Sequence, residues 1–212
     1  MSRGFIVTGT GTGIGKTVFS AALTRALDGY YWKPVQAGLD GETDSDTVRR
    51  LSRLPHERIV PEAYRLRLPA SPHIAAKREG VTIEVPYLAL PVCAWPLVVE
   101  GAGGLLVPLS DNLLQIDQFA AWGLPVILCA STELGTINHT LLSLEALAKR
   151  QICVHGIAFV GETAAEVERT IVAYGKVRCL GRLPLVNPLD SVHLTAAFRT
   201  HFDLSAFAGM QA

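Results

Sequence analysis

The sequence predicts a doubly wound α/β fold of the P-loop nucleoside triphosphate hydrolase type, in which a mostly parallel sheet is covered by helices on both faces. Short apolar runs alternate with amphipathic segments along the chain. Hydrophobic residues make up 49% of the sequence, as expected when a sheet is buried on both faces. A glycine-rich turn joins the first apolar run to the first amphipathic segment. A length of 212 residues suits one core, so we predict a single domain over residues 1–212.

The individual elements follow from periodicity and from the turn residues between them. Strands are predicted over residues 5–7, 30–32, 96–100, 124–130, 154–160 and 177–180, with an edge strand near 63–66. Helices are predicted over residues 18–27, 44–54, 74–79, 83–90, 112–122, 136–150, 163–173 and 190–201. Residues 35–43 are predicted to form a loop, and Thr163 with Glu166 three residues later predicts a capped helix start.

The glycine-rich turn has the composition of a phosphate-binding loop. It begins at Gly9, ends in Gly15-Lys16-Thr17, and is one residue longer than the common spacing. Glycines let backbone N–H groups close around phosphate oxygens, and the following helix N-terminus adds partial positive charge. We therefore expect Lys16 to reach the β- and γ-phosphates and the Thr17 hydroxyl to ligate Mg²⁺.

Two further residues follow strands and should lie at the same edge of the sheet as this loop. Glu100 ends the strand 96–100, where nucleotide hydrolases place an acidic magnesium ligand. Lys33 follows the strand 30–32, and a cation there is suited to hold a phosphoryl group or an anionic substrate. The alternative for Glu100 is an acidic residue that only ends a strand. The alternative for Lys33 is a solvent-exposed lysine.

Two other segments leave their roles open. The loop before residue 47 carries Asp40, Glu42, Asp44 and Asp46, and the residues alone do not decide which carboxylate, if any, meets a metal. Helix capping is the alternative for this group. Residues 134–139 open a helix whose free N–H groups form either an anion site or an ordinary helix start.

Charge and composition argue against several classes of partner. The chain has 19 basic and 19 acidic residues, so nothing favours nucleic acid or an anionic membrane. No apolar run is long enough for a bilayer, and the first strand starts too early for a signal peptide. The four widely spaced cysteines predict buried, reduced thiols in a cytoplasmic protein.

Six stretches, in order, resemble the dethiobiotin synthetase family. They are residues 7–17, Lys33-Pro34-Val35-Gln36, Asp44-Ser45-Asp46, Ser71-Pro72-His73, residues 99–104 and residues 134–139. The resemblance implies an ATP-dependent carboxylation and ring closure. One amine of 7,8-diaminononanoate takes up CO₂ as a carbamate, which attacks the γ-phosphoryl group to give a carbamic–phosphoric anhydride. The second amine then closes the ureido ring and expels phosphate.

The resemblance also implies the roles of individual residues. Lys16 and Lys33 neutralise charge on the phosphoryl group and the carbamate, and Thr12 contacts the reacting end of the substrate. The implied nucleotide contacts are Gly13, Ile14, Gly15, Lys16, Thr17, Val18, Glu100 and Gly103. The implied magnesium ligands are Thr17, Asp46 and Glu100. The implied substrate contacts are Thr12, Lys33, Ala37, Gly135, Thr136, Ile137 and Asn138.

The family resemblance further implies a homodimer, in which the substrate's carboxylate tail rests on a helix N-terminus partly supplied by the other subunit. Two departures bear on specificity. Ala37 stands where the family usually carries Ser or Thr, and the lost hydroxyl hydrogen bond is worth about 0.5–1.5 kcal/mol. Gly161-Glu162 stands where some members carry an adenine-reading Asn, so another nucleoside triphosphate is an alternative to ATP.

A partition-type ATPase switch acting through a protein partner is the alternative of a different class. Its phosphate loop usually carries an extra lysine among the early glycines, and residues 9–13 contain none. A surface that binds DNA would also require an excess of basic residues, whereas this chain is neutral.

Overall fold

The computed structural model describes residues 4–93 and 96–207. Seven parallel strands form the main sheet, in the spatial order β11-β10-β9-β1-β6-β2-β4. These strands are β1 (Gly4–Gly9), β2 (Tyr30–Trp32), β4 (Ile59–Val60), β6 (Leu97–Gly104), β9 (Val126–Ser131), β10 (Val154–Val160) and β11 (Cys179–Leu183). Two small sheets pair β3 (Val35–Ala37) with β5 (Tyr64–Leu66) and β7 (Pro108–Ser110) with β8 (Leu113–Leu114).

Helices cover both faces of the main sheet, which confirms the predicted doubly wound α/β class. They are α1 (Lys16–Ala26), α2 (Asp44–Ser52), α3 (Pro72–Glu79), α4 (Gln115–Trp122), α5 (Thr136–Lys149), α6 (Ala165–Gly175) and α7 (Ser191–His201). Buried side chains from α1, α2 and α7 pack on one face, and those from α4, α5 and α6 pack on the other. Because β1 lies at the centre, the loop after it faces the middle of the sheet's carboxyl edge.

Most predicted elements are present, two of them with the predicted bounds: the strands Tyr30–Trp32 and Val154–Val160. The predicted loop 35–43 was wrong at its start, because Val35–Ala37 pairs with Tyr64–Leu66 in a separate small sheet. The predicted helix 83–90 is only the 3₁₀ turn Val85–Leu88, since Pro86 lacks the N–H that an α-helix interior requires.

Two helix starts also differ from expectation. The segment 112–122 begins as the short strand Leu113–Leu114 before the helix Gln115–Trp122. The helix predicted to be capped by Thr163 begins instead after Ala164, without a side-chain cap. A sequence match to the capping pattern therefore did not locate this helix N-terminus.

The cysteines are all free thiols, but the prediction that they are buried was wrong for two of them. Cys129 is buried and Cys93 is half-buried, whereas Cys153 and Cys179 are exposed. Within residues 4–93 and 96–207, no helix combines the length and the apolar character needed to cross a membrane.

Candidate active site at the carboxyl edge of the sheet

The loop between β1 and α1 leaves backbone N–H groups free at the start of the helix. Gly15 is the N-cap of α1 in the left-handed region, with a φ of 89°, and no side chain caps the helix. A Cβ at Gly15 would lie 2.7 Å from a methyl carbon of Val160, so a side chain is excluded there. Gly13 also has a positive φ, of 77°. This is the backbone geometry that a phosphate-binding loop requires.

Strand alternation brings polar side chains from β2 and β6 to the face that α1 covers. Tyr31 lies opposite Val98 in the parallel register, and both belong to the core beneath α1. Side chains alternate between the two faces of a sheet with a period of two residues. Lys33 therefore points to the same face as Tyr31, and Glu100 points to the same face as Val98. Their side chains therefore meet above the sheet, beside Thr17 of α1.

Four side chains form one connected cluster, which we call the strand-end cluster: Thr17, Lys33, Asp44 and Glu100. The Thr17 hydroxyl lies 3.0 Å from Asp44 Oδ1 and 2.9 Å from Glu100 Oε1. Lys33 Nζ lies 2.6 Å from Asp44 Oδ2 and 3.2 Å from Glu100 Oε1. It also donates to the carbonyl oxygen of Gly101 over 3.1 Å. Lys33 and Glu100 are 4% and 1% exposed, so these interactions operate largely out of water.

The charges in the cluster stabilise one another. Burial by itself lowers the pKa of Lys33, but Glu100 and Asp44 raise it above its ordinary value. Burial likewise raises the pKa of Asp44, but Lys33 holds it below its ordinary value. We therefore expect Lys33 and Asp44 to be ionised at neutral pH.

Lys16 lies close to the same group. Its ammonium donates to the carbonyl oxygen of Gly11 over 2.7 Å and is buried with the loop. Burial, together with the positive charge of Lys33, lowers the pKa of Lys16. An anion between the two lysines would relieve that repulsion, which is the electrostatic condition for a phosphate site.

The structure does not bring Asp46, the carboxylate that the family resemblance implies, to this cluster. The Asp46 carboxylate accepts from the Thr43 hydroxyl over 2.7 Å and forms an ion pair with Arg49. Thr43 and Asp46 together make a capping box at the start of α2. Because that box holds Asp46 at N3 on the outside of the helix, Asp44 at N1 is the residue that reaches Thr17.

The oxygen atoms of the cluster fit a magnesium ion. Mg²⁺ is usually held by one or two carboxylates, water and substrate phosphates. Thr17, Asp44 and Glu100 present a hydroxyl and two carboxylates within hydrogen-bond distance of one another. Among residues 4–93 and 96–207, no group of three or more His, Cys, Asp or Glu side chains is arranged to hold a metal.

Three cavities border the loop. One, of about 500 Å³, lies between residues 10–12 and the side chains of His139 and Leu142 on α5. The other two bear on the strand-end cluster. The first, the loop cavity, has a volume of about 460 Å³ and runs from the phosphate-binding loop to Glu162 and Leu185. Its walls include Gly13, Ile14, Gly15 and Val18. The second, the strand-end cavity, has a volume of about 500 Å³. Its walls include Thr12, Lys33, Ala37, Asp44, Ser71 and Gly103.

Thr12 lines both the loop cavity and the strand-end cavity and so marks where their contents would meet. A Cβ at Gly103 would lie 3.3 Å from Thr12 Oγ1, so the β6 end packs closely against the loop at this point. A nucleotide with its phosphates on the loop and a second ligand in the strand-end cavity would therefore have reacting ends near Thr12, Lys16 and Lys33.

The start of α5 does not line the strand-end cavity, although His139 and Leu142 of the same helix share another cavity with Thr12. Gly135 is the N-cap, with a φ of 94° and no side-chain cap, and Asn138 is exposed in the first turn. The Thr136 hydroxyl donates to the carbonyl oxygen of Ser131, and Ile137 packs partly against the core. The described residues that line the strand-end cavity do not include 135–138.

Sequence reasoning missed Tyr31 and left Asp44 as one of four open candidates in the acidic loop. Asp44 was identifiable, because Thr43 followed three residues later by Asp46 is a capping pattern that already uses the Asp46 carboxylate. Tyr31 is fully buried and its hydroxyl donates to Glu100 Oε2 over 3.0 Å. Burial and the nearby Glu100 raise the pKa of Tyr31 well above its ordinary value. Only the register between β2 and β6 places Tyr31 beside Glu100, and the sequence does not give that register.

The fold and the loop define a P-loop nucleotide-binding protein, and comparison with known proteins agrees. Residues 3–193 match the family described as an AAA domain. The chain resembles the MinC:MinD cell division protein complex of Aquifex aeolicus, with a TM-score of 0.56, 12% identity, and coverage of 92% of this chain and 86% of that one. A ParA family ATPase from Chlorobium tepidum TLS gives a TM-score of 0.54 and 12% identity, with 100% and 95% covered. At such identities, the likeness shows the fold alone.

Sequence relatives define the family more narrowly. Proteins named ATP-dependent dethiobiotin synthetase BioD are 62% identical in Rhodopseudomonas palustris (strain BisA53), 61% in Nitrobacter hamburgensis and 58% in Agrobacterium fabrum. Each match covers 98% of this chain and 97–98% of the relative. The chain belongs to the dethiobiotin synthetase family, so the family resemblance predicted from the six stretches is confirmed.

Proposed function

We propose that this protein is an ATP- and Mg²⁺-dependent cyclo-ligase that converts 7,8-diaminononanoate and CO₂ to dethiobiotin. The observation that carries the proposal is the strand-end cluster beside the phosphate-binding loop. Lys33 and Asp44 line a cavity suited to a small substrate, and Thr12 joins that cavity to a loop cavity suited to a nucleotide. Membership of the dethiobiotin synthetase family supplies the identity of that substrate.

The proposed reaction has three steps. An amine of the substrate adds to CO₂ and loses a proton, giving a carbamate. A carbamate oxygen attacks the γ-phosphorus of ATP, the bond from that phosphorus to the β-bridging oxygen breaks, and ADP leaves. The second amine attacks the carbonyl carbon of the mixed anhydride and loses a proton, the bond from that carbon to the phosphate oxygen breaks, and inorganic phosphate leaves with closure of the ureido ring.

Two lysines are suited to stabilise the phosphoryl transfer. Negative charge grows on the oxygens of the transferring group, and fixed cations out of water are the strongest way to offset it. Lys16 and Lys33 both border this position and are 6% and 4% exposed. Positioning two reactants in adjoining cavities supplies the rest of the effect, since phosphoryl transfer asks little covalent chemistry of the protein.

Thr17, Asp44 and Glu100 are the residues we propose to hold Mg²⁺. The ion would supply positive charge beside the β- and γ-phosphates when bound. Lys33 contributes the counter-charge to the same two carboxylates. The assignment keeps Thr17 and Glu100 from the sequence-based set and replaces Asp46 with Asp44.

The substrate's carboxylate tail is proposed to rest on the start of α5, in a homodimer. Uncapped N–H groups at Gly135 and the exposed Asn138 amide are suited to a carboxylate. These groups lie apart from the strand-end cavity, so a second subunit would complete a site that spans two chains. The exposed apolar side chains of Leu134 and Leu142 on the same helix region support such a contact.

Compartment and nucleotide complete the proposal. Four free thiols are consistent with a reducing compartment, and we propose the cytoplasm. ATP is the nucleotide that the relatives' names specify. We expect small molecules as the only other substrates, because the chain carries no excess of basic residues for nucleic acid.

Phosphate release tests the proposal. Purified protein with ATP and Mg²⁺ should release phosphate only when 7,8-diaminononanoate and bicarbonate are both added. Omitting either one is the internal control. Release that does not respond to the diamine would overturn the synthetase assignment and favour a nucleotide switch.

A further inference from the structure

The two oxygens of the Glu100 carboxylate have different surroundings. Oε1 lies 2.9 Å from the Thr17 hydroxyl and 3.2 Å from Lys33 Nζ, so it belongs to the strand-end cluster. Oε2 accepts a hydrogen bond of 3.0 Å from the hydroxyl of Tyr31. Glu100 is 1% exposed and Tyr31 is 0% exposed, so water does not compete for either oxygen.

The hydrogen bond has a defined direction. The Tyr31 hydroxyl is the donor and Glu100 Oε2 is the acceptor. A neutral donor to an ionised acceptor makes one of the stronger hydrogen bonds in proteins. Removing it would leave a buried carboxylate oxygen without that partner, and the carboxylate could turn to satisfy itself elsewhere.

The ring of Tyr31 is held in place by packing rather than by its hydroxyl. It belongs to the core formed with Phe19 and Leu23 of α1 and Val98 of β6. The parallel register sets Tyr31 opposite Val98, two residues before Glu100 on the same side of the strand. The phenol therefore extends along the sheet towards the carboxyl edge, and its tip is fixed by the backbone of two paired strands.

We propose that Tyr31 is a positioning residue for the magnesium site, acting through Glu100. By holding Oε2, it keeps Oε1 turned towards Thr17 and towards the position where a metal would bind. The inference rests on the proposed function, because it takes Glu100 to be a metal ligand. Tyr31 itself touches neither the nucleotide loop nor the strand-end cavity among the described lining residues.

Partners that orient a metal ligand usually contribute strongly to metal affinity. Their loss typically weakens metal binding by about 10- to 100-fold. Tyr31→Phe removes only the hydroxyl and keeps the ring that fills the core. We expect the Mg²⁺ concentration for half-maximal nucleotide binding to rise by about tenfold in this variant.

Tyr30→Phe is the matched control. Tyr30 precedes Tyr31 on the same strand, but its ring packs against the core on the other face of the sheet and lies 4.8 Å from the Arg58 guanidinium. The variant removes the same atom from the same strand without reaching Glu100. Its Mg²⁺ dependence should equal that of the wild type.

The experiment measures binding rather than turnover. A non-hydrolysable ATP analogue is titrated by calorimetry over a series of Mg²⁺ concentrations and in EDTA, below the melting temperature of the least stable variant. Tyr31→Phe should bind the analogue as the wild type does in EDTA and should differ only in its Mg²⁺ requirement. Equal Mg²⁺ dependence in Tyr31→Phe, Tyr30→Phe and wild type would overturn the proposal.

A double variant tests whether Tyr31 acts through Glu100. In a Glu100→Gln background, the further change Tyr31→Phe should leave the Mg²⁺ dependence unchanged, because the ligand it positions is already lost. A further loss in the double variant would show a separate structural role and contradict the proposal. Glu100→Gln without effect on Mg²⁺ dependence would contradict it by removing Glu100 from the metal site. Diamine-dependent phosphate release by the wild type is measured separately, so failure here and failure of the proposed function are distinguishable.

Discussion

The strand-end cluster and the start of α5 are both suited to anions, but they are built in opposite ways. In the cluster, the side chains of Lys33 and Glu100 are buried and that of the half-buried Asp44 completes the charge pairing, with Lys33 only 4% exposed. At the start of α5, the attraction comes from backbone N–H groups after an uncapped Gly135, and Leu134 beside it is fully exposed. The cluster is complete within one chain, whereas the start of α5 has an open side. We therefore expect substitutions in the cluster to act on catalysis and metal binding, and substitutions at α5 to act on substrate affinity.

The largest effect is expected from Lys33→Ala. Removing a buried cation from the position of charge development should lower kcat by about 100- to 1,000-fold. Nucleotide binding in Mg²⁺ should be retained, because the metal supplies charge to Asp44 and Glu100. Lys77→Ala, on the exposed side of α3, is the control and should keep the wild-type kcat. A near wild-type kcat for Lys33→Ala would show that Lys33 does not stabilise the transition state.

Comparing Asp44→Asn with Asp46→Asn tests which carboxylate of the acidic loop binds the metal. Asp44→Asn should raise the Mg²⁺ concentration for half-maximal activity by more than about tenfold. Asp46→Asn should leave the Mg²⁺ requirement unchanged and lower the free energy of unfolding by roughly 0.5–2 kcal/mol, because it weakens the cap of α2. The measurements are Mg²⁺ titrations and denaturant unfolding of both variants. The opposite pattern would restore Asp46 as the ligand.

Asn138→Ala should act on substrate affinity alone. Loss of one hydrogen bond to the substrate's carboxylate corresponds to about 0.5–1.5 kcal/mol, or roughly tenfold or less in KM, with kcat unchanged. Steady-state kinetics with varied diaminononanoate measures the change. Glu145→Gln, an exposed position further along α5, is the control. If KM does not change, α5 does not hold the substrate tail.

Ala37→Ser should give the smallest effect and in the favourable direction. The new hydroxyl would face the strand-end cavity and could bond the substrate, lowering KM by roughly tenfold or less. Ala70→Ser, on another wall of that cavity, controls for the added polarity. A KM that rises in Ala37→Ser and not in Ala70→Ser would mean that the alanine packs against the substrate.

The sequence predicted what depends on local pattern. The phosphate-binding loop, the alternation of strands and helices, and the position of Lys33 after its strand follow from residue type and spacing. The predicted strand end at Glu100 was wrong, because β6 continues to Gly104. The double-sided burial followed from the apolar strands. The strand Val35–Ala37 could not be predicted in the same way. It pairs with Tyr64–Leu66 across a long connection, and such pairings leave no local signal in the sequence.

Within the site, the differences between the sequence-based set and the observed cluster have a common cause. Asp44 and Asp46 are both acidic, and only the choice of N-cap decides which one faces α1. Tyr31 resembles an ordinary core residue until the register sets it beside Glu100. Such choices between neighbouring residues depend on a rotation of a helix or the offset of a strand, which composition and spacing leave undetermined.

The central claim is that the loop cavity and the strand-end cavity hold a nucleotide and a diamine whose reaction is joined at the strand-end cluster. Incubation with ATP, Mg²⁺, 7,8-diaminononanoate and isotopically labelled bicarbonate, followed by mass spectrometry, tests it most directly. The account predicts dethiobiotin carrying the label in its ureido carbon, with ADP and phosphate formed in equal amounts. ADP and phosphate without labelled dethiobiotin would contradict it.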